Sequence, residues 1–181
     1  MSASSAEVDV EVESSSSVWC RTLVQQVESA ELLVDNVSEY VQIGNGIVIM
    51  LALLKRADVS DAEISAMCSK ILSCKIHTVP GGPVKSHFRA EPIVARDVLI
   101  VPQATMSGKL RKGQPQYHAQ VAKDAGAVLY ERVWREFEKQ LAEINASRAA
   151  EHHGKVLHGT YGNRQALKFA SSGPNTHIFD W

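Results

Sequence analysis

The sequence predicts an α/β domain in which mixed sheets pack against two main helices. Three observations carry that reading. Ile47 to Leu54 is an uninterrupted apolar run of a length that suits a strand buried on both faces. Ser60-Asp61-Ala62-Glu63 has the form of a capping box, in which Ser60 and Glu63 satisfy two orphan backbone amides. Ile64, Met67, Cys68, Ile71 and Leu72 follow it at helical spacing. Val128, Leu129, Val133, Phe137, Leu141 and Ile144 trace one face of a second, longer helix over about 123–146.

Taken in order, residues 1–17 are rich in serine and acid with only scattered valines, too little apolar surface to offset the entropy of ordering. They read as a disordered tail before a single domain over 18–181. Strands are expected over 19–27, 31–34 and 37–43, with Asp35-Asn36 as a hairpin turn and Gly44-Asn45-Gly46 as a second turn. The simplest arrangement is a meander. After the first helix, Cys74 to Val79 reads as a strand broken at Pro80-Gly81-Gly82-Pro83, and 84–96 as an irregular basic segment. Val98 to Val101 is a short buried strand that runs directly into Pro102-Gln103-Ala104-Thr105. Polar groups placed where a buried strand leaves the core are natural site candidates. Ser107 to Gly113 reads as a flexible basic loop. Lys155–His158 and Gln165–Phe169 read as strands paired around the turn 159–164, and Thr176–Phe179 as the closing strand.

Composition narrows the function. The 45% hydrophobic and 22% charged fractions are those of an ordinary globular protein. The longest apolar run is far too short to span a bilayer, and no basic-then-apolar signal peptide opens the chain. Cys20, Cys68 and Cys74 are an odd count without metal-type spacing, which fits buried thiols in a reducing, cytoplasmic setting. Four of the 20 acidic residues lie in 1–17, which holds no base, so the rest of the chain sets 19 bases against 16 acids. That mild basic excess is compatible with nucleic acid.

Familiar catalytic schemes find little support. Glu151, His152, His153 and His158 lack convincing zinc spacing, so no metal and no other cofactor is expected. No Gly-x-Ser-x-Gly elbow is present. Gly44-Asn45-Gly46 lacks the third glycine of a dinucleotide loop. An enzyme built on this chain would work with backbone dipoles or with groups on its substrate. Gly173-Pro174, between two strands, can present bare backbone to a ligand, and an X-Pro bond is the one peptide that adopts cis at modest cost.

These segments, in order and spacing, resemble the D-tyrosyl-tRNA deacylase family of D-aminoacyl-tRNA deacylases. The resemblance runs from about Cys20 to Trp181 and rests on Gln25-Gln26-Val27, Pro102-Gln103-Ala104-Thr105, Arg111-Lys112-Gly113 with Tyr117 beyond it, and Gly173-Pro174-Asn175-Thr176. D-specific members carry Ser where this chain has Pro102 and Arg where it has Gln26. Pro-Gln-Ala-Thr, Gly-Pro-x-Thr-His and the run His158 to Gln165 mark a paralogous branch relaxed in chirality.

The resemblance implies a fold of curved, barrel-like mixed sheets and hydrolysis of the ester between an amino acid and the 3′ end of tRNA. It implies a homodimer in which the Gly-Pro pair of one subunit reaches the other's pocket. Gln103, Thr105 and the Tyr117 amide become candidate catalytic groups. Pro102, Ala104, Gly173, Pro174, Asn175, Thr176 and Gln26 become substrate-binding or chirality-gate residues, and Lys109, Arg111 and Lys112 tRNA contacts. Gly173–Pro174 is expected to be trans, and Thr105 not to be a nucleophile, since no base stands beside it in the sequence. The rival readings are a strictly D-specific deacylase and a non-catalytic nucleic-acid-binding module of the same fold.

Overall fold

The computed structural model describes residues 17–56, 58–77, 85–90, 92–173 and 175–181. Nearly all of the expected N-terminal tail, and Pro174 with its peptide isomer, lie outside the described residues.

β1 (Cys20–Val27), β4 (Gly46–Leu53), β5 (Asp97–Pro102), β8 (Val156–His158) and β10 (Thr176–Asp180) form a five-stranded mixed sheet in the order β10-β1-β4-β5-β8. β2 (Ser29–Leu33), β3 (Tyr40–Ile43) and β9 (Leu167–Ala170) form a second sheet in the order β3-β2-β9. Helices α1 (Asp61–Ser73) and α2 (Lys123–Asn145) cover the larger sheet.

The apolar run at 47–54 explains the layering. Ile47, Ile49, Leu51 and Leu53 of β4 join Ile64, Met67, Val133 and Phe137 in the core beneath the helices. Val48 points the other way, into a second core with Leu32, Ile43, Leu99 and Val101 between the two sheets. A strand enclosed on both faces has no polar side to alternate with, so its sequence is continuous rather than patterned.

The first helix starts as expected. Ser60 Oγ accepts from the Glu63 amide at 3.3 Å, and Glu63 returns a carboxylate oxygen to the Ser60 amide at 3.0 Å. In α2, Leu129, Val133, Phe137 and Leu141 are buried, whereas Val128 is 63% exposed and lies off the packed face.

Several expectations are corrected. The early strands do not form a meander: β1 pairs with β4, while β2 pairs with β3 in the other sheet. Two residues do not suffice for the β2–β3 turn. Residues 34–39 wrap instead around the Asp35 carboxylate, which accepts from the amides of Val37, Ser38 and Glu39. Residues 74–77 form no strand, only an isolated bridge from His77 to Lys85, and 78–79 lie outside the described residues. The basic loop is a hairpin of β6 (Lys109–Arg111) and β7 (Gln114–Gln116), turned by Lys112 and Gly113 at φ 48° and 75°. β8 and β9 do not pair with each other. β8 joins β5 in parallel and β9 joins β2, because each short edge strand follows a long-range partner and not its neighbour in sequence.

The chain turns from one sheet to the other at two adjacent corners. Glu28 carries β1 into β2, while residues 171–175 carry β9 into β10. Ser29 pairs with Ala170 and Gln25 with Thr176, so residues 26–28 face the longer segment 171–175. Two residues are in excess there, and a Cβ built on Gly173 meets nothing within 4 Å.

Candidate functional site

A cleft of about 610 Å3 opens at the end of β4 and β5. Its floor is apolar, from Leu51 and Leu53, and Pro102, Gln103 and Ala104 form one wall. The Gln103 amide donates to Leu51 O at 2.7 Å, which extends the parallel pairing one residue past β5 and fixes that wall. Further along the same edge of β4, Lys55 N donates to Ala119 O at 2.7 Å and Val121 N to Leu53 O at 3.1 Å. This short pairing brings Tyr117 and His118 to the cleft.

Tyr117 lies over Gly108, where an added Cβ would stand 2.8 Å from the ring, so a side chain at Gly108 would lift it. The Tyr117 amide meets no acceptor among the described residues, while its carbonyl accepts from Gln120 at 3.1 Å. Thr105 does not line the cleft. It sits exposed in the 3-10 turn Ala104–Ser107, with its carbonyl accepting from Gly108 at 3.1 Å.

The opposite wall is Tyr161, Gly162 and Asn163, with Lys55 and Lys123 at the rim. Buried Tyr130 positions this loop: its hydroxyl lies 3.0 Å from Ile100 O and 3.2 Å from Gly159 O, tying the end of β5 to the segment after β8. Burial raises the Tyr130 phenol well above its usual pKa, so it stays a donor. Asn163 reaches across to Val34 O at 3.2 Å. Lys55 and Lys123 were not singled out from sequence, and Tyr161 and Asn163 entered only within the branch-marking run His158 to Gln165. Lys55 follows the apolar run and Lys123 begins α2, and neither pattern announces a site.

Lys109, Arg111 and Lys112 line a second cleft of about 650 Å3, together with His118, which also borders the first. The two clefts thus adjoin, one enclosed by backbone and aromatic rings, the other rimmed by cations.

Gln26, Gly173, Asn175 and Thr176 lie elsewhere. Gln26 pairs with Ile47 at the start of β4, whereas Pro102 pairs with Leu51. Four residues of strand separate these levels, about 13 Å at ~3.3 Å per residue. At the Gly173 corner, Gln26 Oε1 accepts from Asn175 Nδ2 at 3.3 Å, and the Gln26 amide donates to Asn175 O at 3.2 Å. Gln25 adds a second hold: its Nε2 donates to Ser171 Oγ at 3.1 Å, and its Oε1 accepts from the Thr176 hydroxyl. Ser171 Oγ is within hydrogen-bond reach of the carbonyls of Gln26 (2.9 Å) and Gly173 (2.5 Å). Sequence reasoning found Gln26 here and missed Gln25 and Ser171.

A family model described as D-Tyr-tRNA(Tyr) deacylase matches residues 23–180, which span both clefts and the Gly173 corner. The chain belongs to the D-Tyr-tRNA(Tyr) deacylase family. It is 33% identical over 166 residues to human D-aminoacyl-tRNA deacylase 2, covering 89% of this chain and 94% of that protein. A solved structure of a probable eukaryotic D-amino acid tRNA deacylase superposes with a TM-score of 0.71 at 33% identity, covering 90% of this chain and 99% of that one. The c-Myc DNA unwinding element binding protein shares the fold, with a TM-score of 0.63 at 21% identity over 88% of this chain and 97% of that one.

Proposed function

We propose that this chain is an aminoacyl-tRNA deacylase that hydrolyses the ester joining a wrongly attached amino acid to the 3′-terminal adenosine of tRNA. One observation carries the reading. Pro102, Gln103, Ala104 and Tyr117 line a single cleft, directly beside a basic hairpin. Family membership supports it independently.

In the proposed reaction the ester carbonyl lies against the Tyr117 amide and the amides near Gln103 to Thr105. Water, assisted by the terminal ribose 2′-hydroxyl, adds to the carbonyl carbon. The amides stabilise the tetrahedral oxyanion as charge develops on it. The acyl–O3′ bond then breaks, O3′ takes a proton, and free amino acid and tRNA leave. Lys109, Arg111 and Lys112 hold tRNA phosphates by charge.

Chirality is read by backbone. Gly173, Pro174 and Asn175 of a partner subunit close the pocket, Gln26 steadies them and Thr176 positions the substrate. The roughly 13 Å between the Gly173 corner and the Pro102 level within one chain favours a homodimer over a gate acting in its own subunit. A wall of carbonyls rejects one enantiomer by collision and by leaving lone pairs unpaired, so it needs no selective side chain. With neutral Gln26 and with Pro102 in place, the gate is expected to be trans at Gly173–Pro174 and relaxed, admitting L-alanine on threonine tRNA as well as D-amino acids.

Incubation with D-Tyr-, L-Ala- and Gly-charged tRNAs tests this. Turnover of the D and L esters is expected. Turnover of the D ester alone would restore a strictly D-specific enzyme, and binding of tRNA without turnover a non-catalytic module. Thr105→Ala is expected to retain most activity. A loss on the order of 10³-fold in single-turnover deacylation, with fold and binding intact, would make Thr105 a nucleophile instead.

A further inference from the structure

We propose that His77 is a positioning residue for the Gly173 corner, acting through the side-chain amide of Gln26. The proposal rests on the deacylase reading above and names a selectivity determinant that lies outside both clefts.

The side-chain amide of Gln26 is held at both ends. Gln26 Oε1 accepts from Asn175 Nδ2 at 3.3 Å, while Gln26 Nε2 lies 3.3 Å from His77 Nδ1. An amide oxygen only accepts and an amide NH2 only donates, so the two contacts are not interchangeable. With the oxygen committed to Asn175, the NH2 needs an acceptor, and Nδ1 of a neutral imidazole protonated at Nε2 supplies one. Turned over, Gln26 would set its NH2 against the NH2 of Asn175. With Asn175 turned as it is, a His77 ring that accepts at Nδ1 favours the way Gln26 faces. His77 is itself fixed, because its amide donates to Lys85 O at 3.0 Å and its carbonyl accepts from Lys85 N at 2.9 Å.

The order continues into the corner: Asn175 N donates to Gly173 O at 2.9 Å. A chain of directed bonds thus runs from His77, beyond the end of α1, to the carbonyl of Gly173. The charges that act on His77 are those of Arg96 and Lys85, and its ring neighbour is His87 at 5.7 Å. Burial and then these cations hold the His77 pKa below its ordinary value, so the accepting, neutral form prevails at neutral pH. Gln25 grips Ser171 and Thr176 separately, so losing His77 loosens the corner without releasing it.

The test uses the full chain. His77→Phe removes the acceptor, whereas His77→Asn places an amide oxygen where Nδ1 stood. The D-Tyr over L-Ala ratio of kcat/KM is expected to fall about tenfold in His77→Phe and to stay within about threefold in His77→Asn. The nitrogen-15 signals of the Gly173 amide and the Asn175 side chain are expected to shift in His77→Phe, to stay near wild type in His77→Asn, and to titrate with His77 in the wild type. Signals that stay in place in His77→Phe overturn the proposal whatever the activity. Signals that move with an unchanged ratio overturn its part in selectivity. If the wild type deacylates none of the charged tRNAs, the deacylase reading falls, while the same signals still decide the coupling of His77 to the corner.

Discussion

Gly126 is bare because Tyr161 occupies the space beside it: an added Cβ would stand 2.1 Å from the Tyr161 hydroxyl oxygen and 2.8 Å from Val121. Alanine in the second turn of a helix gains about 1 kcal/mol of propensity over glycine, and crowding costs about 1–3 kcal/mol, so the two nearly offset. The flexible tip of Tyr161 gives way first. Gly126→Ala is therefore expected to leave the melting temperature within about 5 °C of wild type while lowering kcat/KM for charged tRNA, as thermal melts beside deacylation rates would show. His87 carries a different signal. Its ring is 1% exposed and neither nitrogen has a partner among the described residues. Burial first, then Arg96 and His77, pull its pKa down to about 3 from the ordinary 6.5. The unfolded chain thus binds the extra proton, and the stability this group leaves intact above pH 6.5 is lost as pH falls toward 3. Urea melts at pH 7 and pH 5 should show that loss in the wild type and a smaller one in His87→Leu.

Among the elements, those with a strong local signal were legible. The continuous run of β4, the capping box of α1 and the long stripe of α2 each declare themselves within about a dozen residues. Partners of short strands do not. β8 and β9 are three and four residues long, and only the completed sheets decide where each one pairs. The same limit applies to the cleft. Pro102–Ala104 was visible as the exit of a buried strand, while the Tyr161 wall follows from a loop that the paired-strand reading treated as a turn. The hairpin at 109–116 was legible as charge but not as shape, since its turn places Lys112 at positive φ, which few non-glycine residues adopt. Replacing Lys109, Arg111 and Lys112 together by alanine is expected to weaken tRNA binding at least about tenfold at low salt. It should also flatten the salt dependence by about 0.7–0.9 per lost phosphate contact, leaving the single-turnover rate at saturation near wild type. Filter binding across a salt series, with rates at saturating enzyme, checks both parts.

For the whole molecule, the separation of the Gly173 corner from the Pro102 cleft makes a prediction of its own. If each site combines a cleft from one subunit with a corner from the other, two damaged subunits can repair one another. One variant would carry Tyr117→Pro, which removes the amide proposed to hold the oxyanion. The other would delete Gly173 and Pro174. Each homodimer is expected to lack selective turnover. After the two are unfolded together and refolded, dimers with one intact cleft facing one intact corner should recover selective turnover, about a quarter of the wild-type rate for random pairing. Light scattering would report the dimer. Recovery that never exceeds the sum of the separate variants would place cleft and corner in the same subunit.

The corner between β9 and β10 has one more consequence. Residues 171–175 face only 26–28, so this segment carries two residues of slack that neither neighbouring strand uses. A change of shape there can be absorbed without sliding β9 along β2 or β10 along β1. The sheets and the segment that joins β9 to β10 can therefore drift independently over evolutionary time. On the proposed function, a lineage would retune which stereoisomers it tolerates by altering the grip of Gln25, Gln26 and their neighbours, with the scaffold spared any refolding.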